Sequence, residues 1–238
     1  MPVIYVHALN PPAINLGIGT EILYTFVIIL CSLMIYFGTK ELYDLSSHKG
    51  LKYFRQAFLF FALAYVFRFF TEFLVMSSEP GEIFSTLLLV LEYASLFLFM
   101  YLSLISIFYL IYCVSWKKWG DNAKIIYAFH ATAILIALAT IFFRKEVFYI
   151  GLTFILLLFA AISVYFASRK SRFRRRQALR AKRNNFYGLY LLLIAFWLFN
   201  MFGILVPVFF STLQLVIYIV SLGIFFAILY NVLKKSGD

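Results

Sequence analysis

The sequence predicts an all-α integral membrane protein with seven transmembrane helices. Three observations carry this. The 238 residues are 64% hydrophobic and 21% aromatic with only 13% charged, too few charges to clothe a soluble domain of this size. Seven apolar stretches each reach the roughly 20 residues that a helix needs to cross a bilayer. The charged residues gather between those stretches instead of being spread along the chain, so soluble, secreted and nucleic-acid-binding classes are set aside. No even-stranded alternation of an outer-membrane barrel is present, and lipid leaves unpaired backbone groups no water, so the apolar runs are helices.

In chain order, residues 1–19 form an uncharged outer tail. They contain Pro2, Pro11 and Pro12 and no Lys or Arg, so the basic start of a cleaved signal is missing. The membrane domain covers 20–232, with spanning segments at 20–38, 56–77, 83–115, 125–143, 147–168, 186–208 and 211–232, and 233–238 form a cytoplasmic tail. The third segment, at 33 residues, makes a helix of roughly 50 Å against a hydrocarbon core of about 30 Å, and must tilt or project.

Loop charges set the orientation. Lys40, Lys49, Lys52 and Arg55 follow the first segment, and Lys117, Lys118 and Lys124 follow the third. Nine basic residues run from Arg169 to Arg183 after the fifth, and Lys234 and Lys235 close the chain. Arg144 and Lys145 stand alone on the opposite side. An excess of Lys and Arg marks cytoplasmic loops, which puts the amino terminus outside and the carboxyl terminus in the cytoplasm of a multi-pass cell-membrane protein. Trp116 and Trp119 flank Lys117 and Lys118 as an interfacial belt would. The stretch from Arg169 to Arg183 would attract anionic lipid headgroups.

The chain also aligns with itself at an offset of about 126 residues. Phe84-Ser85-Thr86-Leu87 recurs as Phe210-Ser211-Thr212-Leu213, and Ser95-Leu96 as Ser221-Leu222. The segment holding Tyr65 to Phe70 matches that holding Trp197 to Phe202, and Tyr36 to Lys40 parallels Tyr165 to Arg169. This predicts a 3+1+3 parallel repeat: repeat one 20–115, a linker helix 125–143, and repeat two 147–232. In topology the arrangement resembles the sugar-efflux and PQ-loop transporters, and seven helices with an outer amino terminus are also the plan of rhodopsins and other seven-helix receptors. The residues that define those families are missing. No Pro-Gln pair occurs, 211–232 lacks a lysine for a retinal Schiff base, and Tyr230-Asn231-Val232 lacks the receptor Asn-Pro pair.

Arg68, Glu72 and Glu92 are the strongly charged residues deep within spanning segments. Each costs several kcal/mol if left unpaired in hydrocarbon, about 2.5–3.5 for Arg at a helix centre on the insertion scale. Arg68 and Glu72 are four apart on one helix face. Arg68 lies as far before the hairpin as Glu92 lies after it, which predicts equal depth and either an ion-pair lock or a ligand or proton site. The repeat aligns Arg68 with Asn200 and Glu92 with Tyr218, so Arg68, Glu72, Glu92, Asn200 and Tyr218 form the candidate ligand or ion-pair site. His130, in the inner part of the fourth segment, is read as a packed histidine and not a metal ligand, since His7 and His48 lie in the outer tail and an inner loop and cannot join it. Cys31 and Cys113 are small apolar residues. Gly203 and Pro207 predict a kink in the sixth segment.

No Ser-His or Cys-His pair, metal-spaced cluster or phosphate loop points to catalysis, and no cofactor or metal is predicted. The expected function is a receptor-like sensor of a small ligand, proton or lipid, acting through a separate cytoplasmic partner on the long inner loops 39–55 and 169–185. The rival expectation is a small-solute transporter with its site between the repeats. Nucleic acid is not an expected partner.

Overall fold

The computed structural model describes residues 18–47, 49–77, 85–120, 122–143 and 211–237, with parts of 151–165 and 192–198. The outer tail before residue 18, Arg144 and Lys145, the Arg169 to Arg183 stretch, Asn200, Gly203 and Pro207 lie outside the described residues, as does the side chain of Glu72.

All described elements are helices: α1 (Ile18–Gly38), α2 (Lys40–Ser46), α3 (Lys49–Ser77), α4 (Ser85–Trp119), α5 (Ala123–Phe143) and α6 (Ser211–Gly237). The described parts of 151–165 and 192–198 are helical as well. Four stretches are long and apolar enough to cross a membrane, Ile22–Leu45, Lys49–Thr71, Leu87–Trp116 and Ala123–Phe142, and Val216–Val232 is a shorter apolar one. The all-α architecture read from the sequence is therefore the one observed among the described residues, with helices long and apolar enough for a membrane.

α4 is the centre. Every residue from Leu102 to Cys113 is buried, as expected of a helix that is apolar all round and covered on every side. α3 runs antiparallel along it, and the register is pinned by polar contacts. Thr71 Oγ1 donates to Ser95 Oγ at 2.9 Å, Ser106 Oγ donates to the Ala57 carbonyl at 2.9 Å, and Cys113 Sγ donates to the Gly50 carbonyl at 2.8 Å. Lipid offers helices no hydrophobic reason to associate, so close backbones and hydrogen bonds of this kind hold them. Ala133, Ala137 and Thr140 likewise give α5 a buried stripe of small residues, and Phe108 stacks on Phe129 between α4 and α5 at 4.9 Å. α1 offers Tyr24, Ile28, Cys31 and Ile35 to the core at alternating steps of four and three residues. Its other side leaves Leu23 63% and Phe37 62% exposed, and Phe142 at the end of α5 is 82% exposed. Bare aliphatic and aromatic faces of this kind suit lipid, not water.

Two corrections to the sequence reading concern helix ends. In the 39–55 segment, expected as a loop free to dock a partner, residues 40–46 and 49–55 are helical. The backbone bonds Thr39 N–H to Ile35 and Tyr43 N–H to Thr39 carry α1 into α2 almost unbroken, and α3 begins at Lys49, seven residues ahead of the predicted start. Ser47 makes the reversal, with φ 46° in the left-handed region. Arg55 explains why charge did not end the helix. Its Nε donates to the Tyr36 carbonyl at 3.1 Å, and its guanidinium sits 4.9 Å from the Tyr36 ring and 5.7 Å from that of Tyr43. The cation thus serves a carbonyl near the end of α1 and needs no open loop.

α4 also runs four residues past its predicted end, to Trp119, for a length of roughly 52 Å. Gly120 stops it at φ 68°, a conformation that other residues adopt at a cost. The turn is clamped by Tyr112, whose hydroxyl donates to the Gly120 carbonyl at 2.6 Å and accepts from Asn122 N–H at 3.3 Å.

Candidate functional site

The predicted site residues divide into two groups. Arg68, half-buried on α3, holds its guanidinium 5.8 Å from the ring centroid of Tyr65 one turn earlier, within cation–π range. Tyr65 is almost fully buried and meets Tyr24 of α1 edge-on, with ring centroids 6.4 Å apart. Their hydroxyls share a hydrogen bond, and the Arg68 charge reaches both. Tyr218 of α6 stacks on the other face of this arrangement, 4.4 Å from Tyr24 at 17° between planes. Ser221, one turn further along α6, is fully buried and lies toward the Tyr24 hydroxyl but short of good hydrogen-bond geometry, with no other partner among the described residues. Three helices thus place one guanidinium and a set of hydroxyls in a single polar node.

Glu92 is not part of it. The register fixed by Thr71 with Ser95 and by Ser106 with Ala57 sets residues 95–98 opposite Arg68. Glu92 therefore lies nearer the hairpin end by roughly 5–9 Å of helical rise. Equal spacing from the two predicted helix ends misled because depth follows the register that these hydrogen bonds set between α3 and α4. Burial is the one influence on the Glu92 carboxyl, with no charge close enough to act on it among the described residues. Its backbone carbonyl accepts from Ser95 Oγ at 3.0 Å, so this part of α4 is tied to α3 through Thr71 and Ser95. The Glu72 side chain and Asn200 lie outside the described residues.

Tyr24, Tyr65 and Ser221 were not among the site residues read from the sequence, although Tyr65 and Ser221 fell in the repeat alignment. Tyr65 had a usable signal, being three residues from Arg68 and so on the same helix face. Tyr24 and Ser221 had none of comparable strength, because their role depends on which helices meet.

The chemistry available here is hydrogen bonding around a fixed positive charge. Phenols both donate and accept, whereas a guanidinium offers five donors and no acceptor. The node suits an oxygen-rich or anionic group, and among the described residues it includes no paired acid and base. No group of three or more His, Cys, Asp or Glu side chains that could hold a metal occurs among the described residues.

A second polar cluster joins α4 to α5. Tyr101 Oη lies 2.7 Å from His130 Nδ1, and Tyr109 Oη lies 3.4 Å from His130 Nε2. Phe60 of α3 faces the imidazole edge-on at 6.4 Å between ring centroids.

An "Uncharacterized protein" of Archaeoglobus fulgidus is 32% identical to this chain over 229 residues, spanning 92% of this chain and 93% of that one. No protein-family model and no solved structure matches.

Proposed function

Since the chain belongs to the same family as the Archaeoglobus fulgidus protein, which it matches nearly end to end, we propose that it works as a receptor-like membrane sensor along its whole length. In this reading seven helices cross the cell membrane with the amino terminus outside. The described helices supply five of the seven apolar segments, and helical residues within 151–165 and 192–198 fall inside the other two. A small ligand, a proton or a lipid acts on the Arg68 node, and the output passes to a cytoplasmic partner.

The observation that carries the proposal is the stacking of Tyr24 on Tyr218 beside Arg68. It joins α1, α3 and α6, elements from opposite ends of the sequence, at one polar point inside an apolar bundle. Any group that drew Arg68 or Tyr65 toward itself would shift α1 against α6, whose far end carries Lys234 and Lys235 toward the proposed cytoplasmic side. With residues 40–46 and 49–55 helical, the Arg169 to Arg183 stretch becomes the favoured contact for that partner and for anionic headgroups. The role is non-enzymatic and involves no nucleic acid.

A transporter is the second reading, and one observation favours it. Ser95 of α4 and Ser221 of α6, which the internal repeat aligns, lie on described helices and are both buried. This match supports the 3+1+3 repeat, and a repeat of that kind suits alternating access around a central site.

Reconstitution separates the two. Spin labels on α1 and α6 in nanodiscs should report a distance change when a panel of small carboxylates, phosphates and lipids is titrated, and Arg68→Ala should abolish it. Accumulation of any of those solutes inside protein-bearing liposomes would reject the sensor in favour of transport.

A further inference from the structure

His130 has both ring nitrogens engaged by one neighbouring helix. Its Nδ1 meets the Tyr101 hydroxyl at 2.7 Å and its Nε2 the Tyr109 hydroxyl at 3.4 Å, and Tyr101 and Tyr109 stand two turns apart on α4. We infer that Tyr101, His130 and Tyr109 form a proton-binding site that controls how α5 packs on α4, separate from the Arg68 node and independent of the reading given to it.

The argument starts from hydrogen-bond inventory. A neutral imidazole has one N–H and one bare nitrogen, so one of the two phenols donates to the ring and the other accepts from it. The ring N–H and the donating phenol's O–H are then both used between the helices, and the other phenol's O–H is turned away from the ring. A second proton on the ring turns both nitrogens into donors. The phenol that had been donating must swing its O–H away to another acceptor, so the bond that set the α4–α5 spacing changes direction.

Among the described residues the new charge also lacks a counter-charge. From α3, Phe60 faces the ring. From α4 the facing titratable groups are Tyr101 and Tyr109, with Tyr53 of α3 and Tyr112 of α4 packed behind them. Glu92 is the acidic residue of α4, nine positions from Tyr101, and α5 has Lys124 and Tyr127 but no acidic residue. No carboxylate among the described residues therefore faces the imidazolium, and its favourable course is to move toward water.

The geometry lets such a movement happen. α5 is held to α4 by small residues at Ala133 and Ala137 and by the aromatic contacts of Phe129 with Phe108 at 4.9 Å and with Trp119 at 5.9 Å. His130 is the next residue after Phe129, so displacement of its ring is passed directly to that pair. The site lies seven residues into α5, roughly 10 Å from the α4–α5 turn, and a proton would arrive from the side of that turn.

Trp119 is a built-in reporter. With Trp116 and Trp197 replaced by Phe, the protein in lipid nanodiscs would be titrated from about pH 8 to about pH 4.5, the range in which histidine changes charge. Trp119 emission and the ¹⁵N signal of labelled His130 would be followed together. The expected result is conversion of His130 to imidazolium with a matching red shift of Trp119, and loss of that shift in His130→Gln. Should His130→Gln fail to fold, Tyr101→Phe keeps the ring packing and removes the Nδ1 partner, and it should move the midpoint of both signals together. A His130 that stays neutral throughout, a Trp119 shift that survives His130→Gln, a protonation with no Trp119 response, or an unmoved midpoint in Tyr101→Phe would each overturn the inference.

Discussion

Tyr24 and Tyr218 stack with ring centroids 4.4 Å apart and planes 17° from parallel, so the first long helix and the C-terminal helix meet through aromatic faces beside a guanidinium. Aromatic pairs contribute about 0.5–1.5 kcal/mol beyond their burial. A double-mutant cycle of Tyr24→Leu and Tyr218→Leu, read by thermal unfolding in detergent, should give a coupling energy in that range. Tyr218→Phe should keep the stacking and most of the stability while losing one hydroxyl from the node. Equal damage from Tyr218→Phe and Tyr218→Leu would mean that the hydroxyl, not the ring face, joins the helices.

The α3–α4 register gives a sharper geometric test. Thr71 Oγ1 and Ser95 Oγ are 2.9 Å apart, so cysteines placed at those two positions should form a disulfide under mild oxidation. Cysteines at 68 and 92 should not, because Glu92 is displaced toward the hairpin end. Thr71→Val, which removes the hydrogen bond and keeps the shape, should cost about 0.6 kcal/mol, the average measured for such bonds in membrane bundles.

Arg55 tests whether its planar group matters as well as its charge. It gives a hydrogen bond to the Tyr36 carbonyl at 3.1 Å and lies over the rings of Tyr36 and Tyr43. A lysine has the charge but neither the planar stack nor the fixed donor fork. Arg55→Lys should therefore lower thermal stability nearly as much as Arg55→Gln, by about 1 kcal/mol. Full stability in Arg55→Lys would show that any cation suffices at the end of α1.

What could be read from the sequence follows from what each physical signal measures. Apolar length located the described spanning helices, because the cost of leaving backbone unpaired in lipid depends on composition and little else. Helix ends were harder. Lys49, Lys52 and Arg55 suggested a loop by charge, yet they lie on α3 because Arg55 finds an acceptor and two aromatic faces that only the folded chain provides. The candidate site was legible in part. Arg68 stood out by its cost in hydrocarbon and Tyr218 through the repeat, whereas Tyr24 and Ser221 are ordinary apolar-helix residues until α1 and α6 are placed side by side. His130 was read as a packed histidine, and its two tyrosine partners, 21 and 29 residues away, could not be chosen from the chain's 17 tyrosines.

The last prediction decides between a lock and a site at Arg68. Had Glu92 been its partner, removing Arg68 alone would leave a buried carboxylate uncompensated, and adding Glu92→Gln would restore stability. The structure sets Glu92 roughly one turn or more from that level, with no charge acting on its carboxyl group among the described residues. The effects of Arg68→Ala and Glu92→Gln should therefore add to within about 0.5 kcal/mol, as they do for sites without a shared partner. Arg68→Ala should instead couple to Tyr65→Phe, since the guanidinium lies 5.8 Å from the Tyr65 ring centroid and its charge acts on the hydroxyl that Tyr65 shares with Tyr24. Thermal unfolding of the single and double variants measures both couplings. Recovery of stability in Arg68→Ala with Glu92→Gln would reinstate the hairpin ion pair and remove the reason for placing a ligand at Arg68. Additivity there, together with coupling to Tyr65, leaves the guanidinium bound into a set of hydroxyls that can exchange partners with an incoming oxygen-rich group.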